Sequence, residues 1–307
     1  MSKHVILSIF HHKTGCALNS QIYRSFREFN CIKIISNPVT KRVLQKNSDS
    51  IFISSTFDIT DKNIIYKQAS PNFFEDIFEQ MPKINKVVHF RRESYSWAIS
   101  NYLYHTQQPT PEKWFLNINK DINTWFNVDE SKFLSKKINL DYIYIDNLIN
   151  HIKSIYNCPD NLSYYEYLIS LPIEDGIIIE TARFLLNNNY CAGCDYFRSY
   201  IISKNLEKHK NKVLNLKMSD FQDTNFEKTI KKLYLFIFDN NEVNFQKIFQ
   251  KLKEVKMLQS KKKMKRTSSS HYTKNLLTKK EREKILEKLK NDKDLSYILE
   301  YVNINNI

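Results

Sequence analysis

"SIFHHKTGCALNSQIYRSF", residues 8–26, joins an apolar run to an amphipathic one through a single glycine. The run leading in, "KHVILSIF" (3–10), is short, apolar and rich in β-branched residues, the pattern of a strand buried in a parallel sheet. The run leading out, "ALNSQIYRSFREF" (17–29), sets Leu18, Ile22, Phe26 and Phe29 at helical spacing. The glycine between them is Gly15, one of three in 307 residues with Gly176 and Gly193. Average usage of roughly 7% would supply about twenty. A strand, "HHKTGCA" and a helix make the outline of an anion-binding loop. The helix start offers unpaired N–H groups and a partial positive charge. Glycine lets the backbone approach an oxygen closely, and Lys13 adds a mobile positive charge. The lysine precedes the only glycine, so the stretch is not a Walker A loop; an ordinary strand–helix turn is the alternative.

Outward from this stretch the alternation continues. "CIKIIS" (31–36) and "SIFISS" (50–55) read as strands, and "PNFFEDIFEQM" (71–81) as a helix with proline near its start. "KVVHF" (86–90) reads as a strand followed by a helix over "ESYSWAISNYLYH". Residues 109–208 are mostly helical in pattern, "KVLNLKMSDF" (212–221) returns to a strand, and "TNFEKTIKKLYLFIF" is amphipathic. Strand–helix alternation predicts an α/β fold, a parallel sheet flanked by helices. We expect one domain over 1–307, with a mostly helical insertion at about 106–210.

Composition narrows the class. At 42% hydrophobic and 26% charged the chain reads as soluble and globular. No apolar run approaches the roughly 18 residues that a membrane span needs, and "MSKHVILSIFHHK" does not read as a signal peptide. Five cysteines (16, 31, 158, 191, 194) form no paired framework, which points to a reducing, cytoplasmic setting. "CAGC" (191–194) has half-site spacing but lacks a second pair, so no metal is expected. The net charge of +14 is concentrated: residues 251–290 hold fifteen Lys and Arg against four Glu. Such a run suits nucleic acid, an anionic surface or a solvated loop.

A second stretch repeats the first one's design. "KVVHFRRESYSWAISNYLYH" (86–105) runs from strand through arginine to a serine-bearing helix, with Arg92 and Ser100 eight residues apart. Arginine supplies a planar fork for phosphate oxygens and serine a further donor.

With these two stretches the chain resembles the PAPS-dependent sulfotransferases. Lys13, Thr14, Gly15, Cys16, Ala17 and Leu18 fall on the family's loop for the 5′-phosphosulfate, with His12 and Cys16 where proline and threonine are usual. Arg92 through Ser100, with Tyr102 after, fits its motif for the 3′-phosphate. "VLNLKMSDFQDTNFEKTIKKLYLFI" is similar to a later strand and helix, with Met218, Ser219 and Asp220 in place of Tyr-Glu-Asp. "RTSSSHYTKNLLTKKEREKI" resembles the segment that closes over the nucleotide, Arg266 falling where an arginine often meets the 3′-phosphate, although Thr267 and Ser268 replace the residues usual after it. The resemblance covers residues 3–105 and 212–290. It implies a P-loop-like fold, a basic cofactor-closing segment at about 258–290, and 3′-phosphoadenosine 5′-phosphosulfate (PAPS) as co-substrate without a metal. The implied acceptor is a hydroxyl or amine on a small molecule or glycan.

The chemistry that follows is sulfuryl transfer, with charge building on the leaving phosphate. Lys13 is the residue expected to stabilise it. A hydroxyl acceptor also needs a base. The family's base segment aligns with "KQASP" (67–71), which has Ala69 in place of histidine, so His105, His12 and Glu180 are the candidates. Two rivals belong to other classes. A small-molecule kinase is disfavoured by the missing Walker A pattern and magnesium-binding aspartate. A nucleic-acid-binding protein would use 251–290 and leave both strand–loop–helix motifs without a role.

Overall fold

The computed structural model describes residues 5–9, 16–29, 32–35, 51–56, 84–108, 113–126, 135–136, 138–186, 195–221, 224–239, 242–262 and 277–303. The helix expected at 71–81, the "CAGC" stretch, Lys13, Thr14, Gly15 and Arg266 lie outside these residues. The strands are β1 (Val5–Ile9), β2 (Ile32–Ile35), β3 (Ile51–Thr56), β4 (Ile84–Arg91) and β5 (Val213–Lys217). The α-helices are α1 (Cys16–Phe29), α2 (Ser94–His105), α3 (Ile143–Ile155), α4 (Tyr164–Ser170), α5 (Ile173–Leu186), α6 (Asp195–Leu206), α7 (Phe226–Ile237), α8 (Phe245–Lys262), α9 (Lys279–Asn291) and α10 (Lys293–Tyr301). The fold is α/β, a parallel sheet flanked by helices, and most of the described chain is helical. It divides into two compact units: Met1–Arg92 with Ile201–Arg266, and Glu93–Tyr200 with Thr267–Ile307. The second unit therefore starts before the expected insertion and also takes the C-terminal helices.

The first unit is built on the sheet, in the order β2-β3-β1-β4-β5 with every pair parallel. Such pairs need a crossover between strands, which is why the apolar strands alternate with helices. The chain leaves β1 for one side of the sheet and returns at β4 on the other. The carboxyl ends of β1 and β4 thus lie at the point where strand order reverses, the place where open α/β sheets bind ligands. Alternation along the strands sorts the two faces. Ile6, Val88, Phe90, Leu214 and Leu216 share a core with Ile22, Tyr23 and Phe26 of α1 and with the buried sides of α7 and α8. Each such apolar side chain, fully buried, contributes about 1.5–3 kcal/mol. On that face Ser8 is a polar exception, and its hydroxyl is 2.7 Å from the buried Tyr23 hydroxyl.

The second unit is helical. Glu93 caps α2, its carboxylate accepting from the N–H groups of Tyr95 at 2.9 Å and Ser96 at 2.7 Å. All but one residue of α2 are buried, so its aromatic residues occupy every side instead of one stripe, as in a central helix. Ser94 donates to the Leu299 carbonyl of α10 at 2.8 Å, and Trp97 stacks on Tyr196 with centroids 4.4 Å apart. Gly176 lets α5 come close to α2: a Cβ there would lie 2.7 Å from the Tyr102 hydroxyl oxygen and 3.3 Å from the Leu168 carbonyl oxygen. Trp125 is buried and edge-on to Tyr164 at 4.9 Å, a core contact.

Candidate functional site

The carboxyl edge of the sheet positions the first set of residues. β1 ends at Ile9, in register with His89 of β4, which is in register with Asn215 of β5. Lys13, Thr14 and Gly15 fall in sequence between the end of β1 at Ile9 and the start of α1 at Cys16 and lie outside the described residues. Cys16 and Ala17 open α1, and Leu18 in its first turn packs, partly buried, against the core. Arg92 follows the last residue of β4 and is half-buried. Beneath it the face of the sheet opposite the α1 core carries polar side chains beside the buried Ile9 and Val87. His89 is fully buried, with its Nδ1 3.5 Å from the Ser203 hydroxyl of α6. Arg91 is 7% exposed and stands in register with Lys217. Asp220 accepts from the Lys217 N–H at 2.8 Å, closing the turn after β5. Burial pushes the Arg91 guanidinium below its ordinary value, and nearby Asp220 and Glu207 act against that.

Ser100 and His105 lie on α2, in the second unit, whereas Arg92 closes the first; each is described within its own unit. Ser100 is 6% exposed and His105 is fully buried. The sequence offers His105 and Glu180 as separate bases; the structure joins them, His105 Nδ1 lying 2.7 Å from Glu180 Oε1. Glu180 also accepts from Arg183 Nε at 2.8 Å, Arg183 Nη2 at 2.6 Å and the Tyr164 hydroxyl at 2.6 Å. Burial alone would raise the Glu180 carboxyl, but the Arg183 charge and the His105 hydrogen bond outweigh it and hold the carboxyl well below the usual carboxylate range. An ionised carboxylate only accepts, so His105 carries its proton on Nδ1. The imidazole stacks on Phe115 at 4.4 Å, and the Arg183 guanidinium lies over Phe115 and Tyr164 at 5.4 and 5.3 Å. A general base must come within hydrogen-bond reach of an acceptor proton. A histidine without exposure, whose proton is held by Glu180, has the surroundings of an anchor between α2 and α5.

Several lysines of the described part of the basic run have partners. Lys251 pairs with Glu28 and lies over Phe29 at 5.7 Å. Lys284 pairs with Glu174, and Lys288 lies 3.3 Å from Asp175, so α9 is tied to the first turn of α5. Lys290 lies over Tyr95 at 5.8 Å. Among the described residues no group of three or more His, Cys, Asp or Glu is placed to hold a metal, and no helix is long and apolar enough to cross a membrane.

Sequence reading missed Arg91, Arg183 and Tyr164. Arg183 was detectable in principle, being three residues after Glu180 on one helical face. Arg91 was masked by its neighbour Arg92, and only strand register separates their surroundings. Comparisons with protein-family models, with curated proteins and with solved structures find no match for this chain.

Proposed function

We propose that the protein is a PAPS-dependent sulfotransferase, with its donor site at the carboxyl edge of β1 and β4 on a P-loop-like sheet. One observation carries the reading. The register of β1 against β4 brings the starts of the two connections bearing the anion motifs to one edge, at the reversal of strand order. In this reading the N–H groups of the loop and of the first turn of α1, residues 13–18, hold the 5′-phosphosulfate. The resemblance assigns Arg92, Ser100 and Arg266 to the 3′-phosphate.

The acceptor's lone pair attacks sulfur, a sulfur–oxygen bond forms to a hydroxyl (or sulfur–nitrogen to an amine), and the bond to the bridging phosphate oxygen breaks. The electron pair stays on the departing adenosine 3′,5′-bisphosphate, where Lys13 stabilises it. Loss of such a contact costs about 10²–10³ in rate. The acceptor proton goes to a base. Because His105 is fully buried and its Nδ1 proton is held by Glu180, we assign that role to His12, beside Lys13 in sequence. The docked lysines of α9 leave fewer free cations for nucleic acid than the sequence count suggests.

The test is a thermal-shift titration with adenosine 3′,5′-bisphosphate, with AMP and ATP–magnesium as comparators. Ligand at 100 times its Kd stabilises by about 2.7 kcal/mol, a shift of several degrees. A shift with the bisphosphate above that with AMP is expected; a shift confined to ATP–magnesium would turn the reading to a kinase.

A further inference from the structure

Arg91 has an environment that its fold does not explain. It is 7% exposed at the carboxyl end of β4, and its buried Nε–H finds no acceptor among the described residues. Its register partner on β5 is Lys217. Adjacent strands lie about 4.8 Å apart, so the two cationic positions are neighbours on one face of the sheet. A guanidinium does not shed its proton in a protein, so the cost of burying it underpaired is carried by the folded state. Asp220 and Glu207 act on it through space, while Asp220 also accepts from the Lys217 N–H. A buried, always-charged fork with an unused donor, beside a second cation, has the chemistry to take a tetrahedral oxyanion.

We infer that Arg91, with Lys217 in register beside it, is an oxyanion-binding position for a phosphate- or sulfate-type group at the carboxyl edge of the sheet. The position is additional to Arg92. Only the expected source of the anion, the donor nucleotide, rests on the proposed function; the site itself rests on the burial and register of Arg91. The alternative source is an anionic acceptor or free anion, which sulfate and pyrophosphate represent.

The experiment is isothermal titration of the full-length protein and its Arg91→Met and Lys217→Gln variants with adenosine 3′,5′-bisphosphate, pyrophosphate and sulfate, at constant ionic strength. Each variant is expected to weaken binding of the nucleotide about 10- to 100-fold, the loss for one hydrogen bond to a charged group. The ligand-free Arg91→Met protein is expected to melt no lower than wild type, because an underpaired buried charge has been removed. If wild type binds the bisphosphate and both variants bind it equally well, the inference is overturned and the proposed function stands. If wild type binds pyrophosphate or sulfate but not the bisphosphate, and Arg91→Met abolishes that, the inference stands and the proposed function fails. Binding of no anion overturns the inference. Lys217→Gln, at a half-buried strand end, keeps the test informative should Arg91→Met fail to fold.

Discussion

Arg91 and Arg183 are both buried arginines, one in each unit, and their surroundings are opposite. Arg183 meets Glu180 through Nε and Nη2, while His105, Tyr164 and Asn101 also donate to that carboxylate. Arg91 has a lysine in register and a buried Nε–H with no acceptor among the described residues. A charge that is fully satisfied within its own unit holds helices in place. A charge left short of partners at the carboxyl edge of a sheet is stabilised by something that arrives. The comparison separates a structural ion cluster from a binding position without any appeal to motif.

Breaking the satisfied cluster has the largest expected effect. Glu180→Gln keeps the shape but leaves Arg183 as an uncompensated buried cation, at a cost of about 3–5 kcal/mol and roughly 10 °C in melting temperature. Scanning calorimetry would show it. A loss of only a degree or two would mean that the cluster is not closed as described.

The same cluster sets an acid limit. Glu180 has an ordinary value of 4.5 and a folded value of about 2. A depressed carboxyl contributes stability that is fully present above its unfolded value and is lost as pH falls through its folded one. The gap in stability between wild type and Glu180→Gln should therefore hold at neutral pH, then narrow between about 4.5 and 2. Denaturant melts across that range measure it, and a gap independent of pH would contradict the assigned charge state.

A smaller effect is expected at Gly176. Alanine gains helix propensity of about 1 kcal/mol but pushes a Cβ against the buried Tyr102 ring and the Leu168 carbonyl. Overpacking of that kind costs about 1–3 kcal/mol, so the net loss should be about 1 kcal/mol in equilibrium unfolding. A gain in stability would mean that the two helices can part without cost. The smallest effect is expected from Lys284→Gln and Lys288→Gln together. These exposed pairs tie α9 to α5, and their loss should lower the melting temperature slightly at low salt and not at all at high salt.

How far the sequence reached differs between the two units. The first four strands were legible as apolar runs to within one or two residues at each end, and so was α1, whose core side repeats at helical spacing; β5 stops at Lys217, four residues short of the expected end, where a short helical turn over Met218–Phe221 takes over. Strand order was not legible, because it is a property of crossovers and pairing instead of local pattern. Yet strand order is what sets the carboxyl ends of β1 and β4, at Ile9 and Arg91, on one edge. In the second unit, α2 and α5 are buried on almost every side, so neither has the one-sided stripe that would reveal its neighbours. Hence His105 and Glu180, 75 positions apart, looked like independent bases. The packing role of Gly176 was likewise invisible, since it depends on Tyr102 from another helix. In 251–290, the partners of three lysines, Glu28, Glu174 and Asp175, lie far away in sequence, so these pairs were not legible.

The central claim is a donor site that grips two separate phosphates at the carboxyl edge of β1 and β4. Calorimetric titration of wild type and Arg92→Met with adenosine 3′,5′-bisphosphate, and with AMP as the single-phosphate comparator, tests it most directly. The account predicts that wild type prefers the bisphosphate at least tenfold, about 1.4 kcal/mol, and that Arg92→Met reduces the preference while leaving AMP binding unchanged. Equal affinity of wild type for the two nucleotides, or a preference undiminished by the loss of Arg92, would contradict it.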